Sequence, residues 1–175
     1  MAFLQRIYRL SLMKTETNKN LAQVAELLIK NKLTIAFAES CTAGLLQNIF
    51  SLAEDAMTIF QGGMTVYNSG QKAKHLYINP VFAEQCNSVS NEIAEKMAFE
   101  IAKKFNAEMG VAITGYAQPV PEDGIERSFA YIAVTLHGKT VLSKKIYGKE
   151  NLGLAANQQI YADKILLELI NLLGK

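Results

Sequence analysis

The chain of 175 residues has only two cysteines, two histidines and no marked excess of either charge. Cys41 and Cys86 make no disulfide framework and lack metal-ligand spacing, so the sequence predicts two unpaired thiols in a reducing cytoplasm. With only His75 and His137, the second in a turn-like sequence, a Ser-His-Asp triad is unattractive, and no His, Cys, Asp and Glu cluster has the spacing of a metal hydrolase. Basic and acidic residues number 18 and 16. The basic ones are dispersed apart from Lys103-Lys104 and Lys144-Lys145, which excludes a nucleic-acid footprint. The longest apolar runs, such as Phe129 to Leu136, fall far short of the roughly 20 residues that a membrane-spanning helix requires. Repeats and low-complexity linkers are also missing, so neither nucleic acid nor membrane is an expected partner.

What is present is a half-apolar composition, enough at this length to bury the core of one domain. Residues 1–13 mix Arg6 and Arg9 with apolar groups and lack a small-residue cleavage signature. They read as an N-terminal extension, with Met13 an alternative beginning, ahead of one domain over 14–175. Leu21, Val24, Ala25, Leu28 and Ile29 recur at helical spacing from Asn20 to Lys30, with Thr17, Asn18 or Asn20 available as caps. Residues 34–38 read as a short buried strand and about 42–52 as a helix. Residues 57–67 read as a strand preceded or kinked by Gly62-Gly63. A short helix follows to about Leu76 and ends at Pro80. Ser90 caps an amphipathic helix to about Phe105. A buried strand over 109–114 leads through a Pro119, Pro121 and Asp123-Gly124 loop to a strand over 129–136. His137-Gly138-Lys139 reads as a hairpin turn to a strand over 140–147, and a helix over about 154–173 closes the chain. The alternation predicts a three-layer α/β/α sandwich with a mixed, mostly parallel sheet and a C-terminal hairpin.

The stretch Thr34-Ile35-Ala36-Phe37-Ala38-Glu39-Ser40-Cys41-Thr42-Ala43-Gly44 carries the strongest chemical signal. An apolar strand ends in small hydroxyl residues that open a helix. Such junctions lie at the carboxyl edge of a sheet, where open α/β folds bind ligands and new helices offer unpaired N–H groups. A serine there is usually a cap. A second polar cluster, Tyr67-Asn68-Ser69-Gly70-Gln71-Lys72, raises the catalytic reading, because it also follows an apolar strand. A lysine becomes a base when burial lowers its proton affinity, and a tyrosine hydroxyl can relay a proton.

Glu39-Ser40-Cys41-Thr42-Ala43-Gly44, followed by Phe60, Gly63, Tyr67 and Lys72, resembles the CinA carboxyl-terminal domain family, whose active members are nicotinamide mononucleotide amidases. Val89-Ser90, Met97-Ala98 and Thr114-Gly115-Tyr116-Ala117 with Pro119 extend the similarity over about residues 20–173. The resemblance implies deamidation of a pyridine mononucleotide to nicotinate mononucleotide and ammonia, with no metal or organic cofactor. It implies Ser40 as nucleophile, Lys72 as base and Tyr67 as the group that positions or relays the proton. N–H groups around Cys41, Thr42, Ala43 and Gly44 would hold the oxyanion, and the Thr114-Gly115 loop is left for the phosphate. Tyr116 could stack on the pyridine.

The chain departs from the family pattern at three places. Gln118 stands where a second glycine is usual, Ser128-Phe129-Ala130 replaces Pro-Val-Gly, and Asn157-Gln158 occupies a region that commonly presents arginines. Arg127 and Lys149 are the candidate replacements for the missing charge. These departures keep open a second class of function, a catalytically weakened nucleotide-binding or regulatory protein. Self-association into a homo-oligomer, through a sheet edge or a helix, is also expected.

Overall fold

The computed structural model describes the backbone of residues 2–175 and the side chains from residue 16 onward. Its elements are α1 (Ala2–Lys30), β1 (Ile35–Glu39), α2 (Leu45–Ser51), α3 (Ala56–Ile59), β2 (Phe60–Thr65), α4 (Ser69–Leu76), α5 (Pro80–Gln85), α6 (Asn91–Lys104), β3 (Met109–Tyr116), β4 (Phe129–Leu136), β5 (Lys139–Tyr147) and α7 (Leu154–Leu173). The sheet order is β2-β1-β3-β4-β5. β1 pairs parallel with both β2 and β3, while β4 runs antiparallel to β3 and β5. Four strands therefore share one direction and β4 opposes them, as the mixed, mostly parallel expectation requires.

Two apolar cores lie on opposite faces of this sheet. Phe37, Val111 and Ile132 point to the face covered by α1, α2 and α7, where Leu28, Phe50 and Tyr161 meet them. Ala38, Ala112 and Ala133 point to the other face, against Leu76 of α4, Ala83 of α5 and Met97 and Ile101 of α6. Side-chain alternation along each strand thus supplies both cores. The β4–β5 connection has His137 at φ 48° and Gly138 at φ 76°, the positive pair that a tight hairpin of this twist demands.

Several boundaries differ from the sequence expectation. α1 begins at Ala2, not near Asn20. The proposed cap Thr17 instead sits inside the helix, donating to Asp163 of α7 at 2.6 Å. The side chains of the expected 1–13 extension lie outside the described residues. Gly62-Gly63 lies within β2, because residues 56–59 form a helical turn first. Pro80 starts a helix, occupying its first turn where a missing N–H costs nothing, and Asn79 caps that helix through Val81 and Phe82 N–H. Ser90 caps α6 as expected, accepting from Ile93 N–H.

Candidate active site

β1 and β3 end side by side, and their carboxyl ends carry the candidate chemistry. Ser40 follows β1 directly and its N–H donates to the Ile113 carbonyl of β3 at 3.1 Å. Ser40, Cys41, Tyr67, Lys72, Asn87, Gly115, Tyr116 and Gln118 line one cavity of about 230 Å³. Residues from four separated stretches converge there because parallel strands deliver all their carboxyl ends to one rim.

The junction after Ser40 is held by a group whose role the sequence reading missed. Glu39 is fully buried, and its carboxylate accepts from the N–H groups of Gly44, Leu46 and Gln47 and from the Gln47 side chain, at 2.9 to 3.1 Å. A carboxylate here complements the positive end of α2 and satisfies its orphan donors. The approach of Gln47 depends on Gly63, where a Cβ would lie 2.5 Å from the Phe37 carbonyl and 2.9 Å from Gln47. An acid six residues before a helix was a legible signal, but only as one half of a cap.

That capping corrects the expected oxyanion site. Gly44 N–H is bound by Glu39, and Ala43 N–H closes a turn onto the Ser40 carbonyl at 3.1 Å. Among the described residues, the N–H groups of Cys41 and Thr42 donate to no other residue, and the buried Thr42 hydroxyl has no partner. The donors left without another residue to bind therefore shrink from four residues to two, and of these two Cys41 lines the cavity while Thr42 is buried behind it. The carbonyl of Cys41 accepts from Gln158 Nε2 of α7 at 2.8 Å. Because a trans peptide is planar, this bond also fixes the Thr42 N–H, which points the opposite way.

Lys72 lies on the inner face of α4 and is 2% exposed. Its amine donates to Thr114 Oγ1 at 3.1 Å and to the Ser88 carbonyl at 3.4 Å. Thr114 in turn donates to the same carbonyl at 2.8 Å. Asn87 and Ser88, at φ 48° and 57°, turn the chain so that this carbonyl faces inward, a strained conformation of the kind found at functional sites. Burial lowers the Lys72 pKa from 10.5 to about 8, the neighbouring Cys41 and Cys86 opposing it. The Cys41 thiol is pushed up to about 12 by burial, so it stays protonated and unreactive.

The remaining candidates divide. Ser40 Oγ donates to the main-chain carbonyl of Tyr67 at 3.4 Å, while the Tyr67 ring is 61% exposed at the cavity mouth. No hydrogen bond joins Ser40 to Lys72 among the described residues. Thr114 is fully buried and engaged with Lys72, which removes its side chain from the expected phosphate loop. Gly115 remains in the cavity wall, where a Cβ would overlap Ala130 of β4. Tyr116 lines the wall with its hydroxyl held by Asn87 at 2.8 Å. Arg127 does not line the cavity; its guanidinium stacks 4.2 Å from the Tyr147 ring centre. Asn157 is buried as a structural clamp, accepting from Lys149 N–H at 2.8 Å. Neither it nor Gln158 lines the cavity, and Lys72 is the sole cationic side chain among its described lining residues.

Comparison with known proteins agrees with this architecture. A family model described as the CinA C-terminal domain matches residues 17–170. The chain is 34% identical over 124 residues to a protein of Alkaliphilus oremlandii that carries the provisional name of a competence-damage inducible protein, covering 69% of this chain and 30% of that one. A similarly named protein of Thermoanaerobacter pseudethanolicus is 33% identical over 144 residues, covering 82% of this chain and again 30% of the relative. The chain thus spans about a third of the length of these curated relatives. Among solved structures, a competence damage-inducible protein A from Klebsiella pneumoniae superposes with TM-score 0.85 at 23% identity, over 90% of this chain and 97% of the other. A CinA superfamily protein from Enterobacter cloacae gives 0.83 at 25%, over 90% and 92%. From the strand-to-helix junction at Ser40 to the closing helix α7, the chain belongs to the CinA C-terminal domain family.

Proposed function

We propose that the chain is a serine-dependent amidohydrolase that deamidates nicotinamide mononucleotide to nicotinate mononucleotide and ammonia. The observation that carries this reading is Lys72, a buried amine with lowered pKa in the same cavity wall as Ser40. A lysine that is readily neutral beside a strand-end serine is the equipment of a serine–lysine hydrolase.

In this mechanism the Ser40 hydroxyl leaves the Tyr67 carbonyl and turns toward Lys72, which takes its proton as the oxygen attacks the carboxamide carbon. The N–H groups of Cys41 and Thr42 receive the oxyanion. Lys72 then returns the proton to the departing nitrogen, so that ammonia leaves and an ester to Ser40 remains. A water that loses its proton to Lys72 cleaves the ester and restores both groups. The Tyr67 carbonyl serves as a parking acceptor for the resting serine, and its exposed ring lines the mouth of the cavity.

Ammonia release from nicotinamide mononucleotide by the purified protein, compared with Ser40→Ala, tests the reading. Turnover that vanishes in the variant supports it; turnover that survives in Ser40→Ala removes the nucleophile. The lack of a second cation among the described residues of the cavity wall favours an alternative, a nucleotide-binding protein without turnover. Tight mononucleotide binding with no ammonia release would establish that alternative.

A further inference from the structure

The cavity accounts for a carboxamide but leaves the charged end of a mononucleotide without a partner. Beyond it, the face of the sheet that bears α6 carries a second constellation. In the pairing register Tyr116 opposes Phe129, and Phe129 opposes Tyr147. These three residues form one cross-strand row from the cavity wall to the sheet edge. In the adjacent row Thr114, the partner of Lys72, opposes Tyr131, and Tyr131 opposes Lys145. The Tyr116 and Phe129 rings are 5.5 Å apart, edge to face. The Lys145 amine sits 3.8 Å over Phe129 and 5.5 Å from both Tyr131 and Tyr147, and Arg127 lies over Tyr147.

Both cations are exposed, and among the described residues neither has a carboxylate within salt-bridge distance. They contrast with Lys96 and Lys144, which are paired with Glu100 and Glu168. Stacking on aromatic faces restricts a cation's side chain while leaving its donors open to solvent. With Lys145 over the middle ring and Arg127 over the last, the two cations are arranged to receive an anion whose neutral body lies over the first, Tyr116.

We propose that Lys145 and Arg127 form the phosphate subsite for a mononucleotide whose carboxamide enters the Ser40 cavity and whose sugar passes over Tyr116. This assignment rests on the amidase reading for the identity of the ligand. It moves the phosphate from the Thr114-Gly115 loop to the β4–β5 edge. It also keeps the dianion away from Lys72, whose neutral form an adjacent phosphate would disfavour.

The test compares nicotinamide mononucleotide with its nucleoside, which lacks the phosphate. The ratio of kcat/KM for nucleotide over nucleoside is expected to fall about tenfold in Lys145→Gln and again in Arg127→Gln, and to recover in Lys145→Arg. Ratios equal to that of the unmodified protein in both Gln variants overturn the proposal. Equilibrium binding of the same two compounds to Ser40→Ala reads the subsite without turnover. There the nucleotide is expected to bind more tightly than the nucleoside, with inorganic phosphate competing, and to lose that advantage in Lys145→Gln/Ser40→Ala. Equal affinities overturn the subsite even if ammonia release is intact. Absent ammonia release with a preserved nucleotide preference instead removes the amidase reading and keeps the subsite.

Discussion

Replacing Lys72 by methionine should abolish amide hydrolysis and yet make the fold more stable near neutral pH. The Lys72 pKa falls from 10.5 to about 8 on folding, chiefly because burial penalises the charged form. At about 1.4 kcal/mol per tenfold change in proton affinity, that drop corresponds to about 3 kcal/mol of destabilisation when the amine is charged in both states. The sign follows from proton counts: between pH 8 and 10.5 the unfolded chain binds the extra proton, so stability rises with pH across that window. Methionine has a similar length, and its loss of the amine strands no partner, because Thr114 still donates to the Ser88 carbonyl at 2.8 Å. Urea unfolding of both proteins at pH 7 and 9.5 isolates this contribution, since groups not coupled to Lys72 cancel in the difference and the coupled Cys41 thiol, pushed up to about 12, stays protonated in the fold at both pH values. The stability advantage of Lys72→Met should shrink by about 2 kcal/mol between the two pH values. An advantage that stays constant, or grows, would refute the claim that Lys72 is held against its preference for charge.

Three further outcomes follow from the same geometry. In assays of ammonia release, kcat/KM should rise about tenfold per pH unit below pH 8 and level off above it, because the base must be neutral; a profile that falls with pH would exclude Lys72 in this role. Glu39→Gln turns one acceptor oxygen into an amide donor facing the N–H groups of α2, and should cost about 2–3 kcal/mol in urea unfolding; a loss below about 1 kcal/mol would mean that the cap is replaceable by water. Gln158→Leu removes the bond to the Cys41 carbonyl and frees the peptide that bears the Thr42 N–H. It should lower kcat about tenfold with a smaller change in KM, whereas Gln158→Arg, which can still donate, should retain most of the rate; equal rates for the Leu variant and the unmodified protein would dismiss Thr42 as an oxyanion donor.

The layered architecture was legible because strand and helix periodicities are local properties of the chain. The apolar run ending at Ser40, the repeat along α6 and the His137-Gly138 turn each declare their structure within about ten residues. The misplaced boundaries lie where two local signals compete. Pro80 both forbids a preceding helix and starts a new one, and Thr17 is equally suited to cap a helix or to bond from its flank. The site was legible in its polar residues at strand ends but not in their pairing. Arg127 belongs with Tyr147 across the hairpin, and Gln158 reaches Cys41 from the last helix; neither separation leaves a mark on the intervening sequence.

Sequence alone determined that a serine would stand between a buried strand and a helix, and that a lysine would follow the neighbouring strand. Those facts depend only on which residues prefer extended or helical backbone and on the short turns between them. Tertiary structure decided what the residues can do. It buried Lys72 beneath the Ser88 carbonyl and gave it an accessible neutral form. It assigned the N–H groups of Gly44, Leu46 and Gln47 to Glu39, so that of the residues after Ser40 it is Cys41 that presents an uncommitted donor in the cavity wall. Burial and donor allocation are sums over contacts from remote segments, and for that reason they come into existence only when the sheet closes.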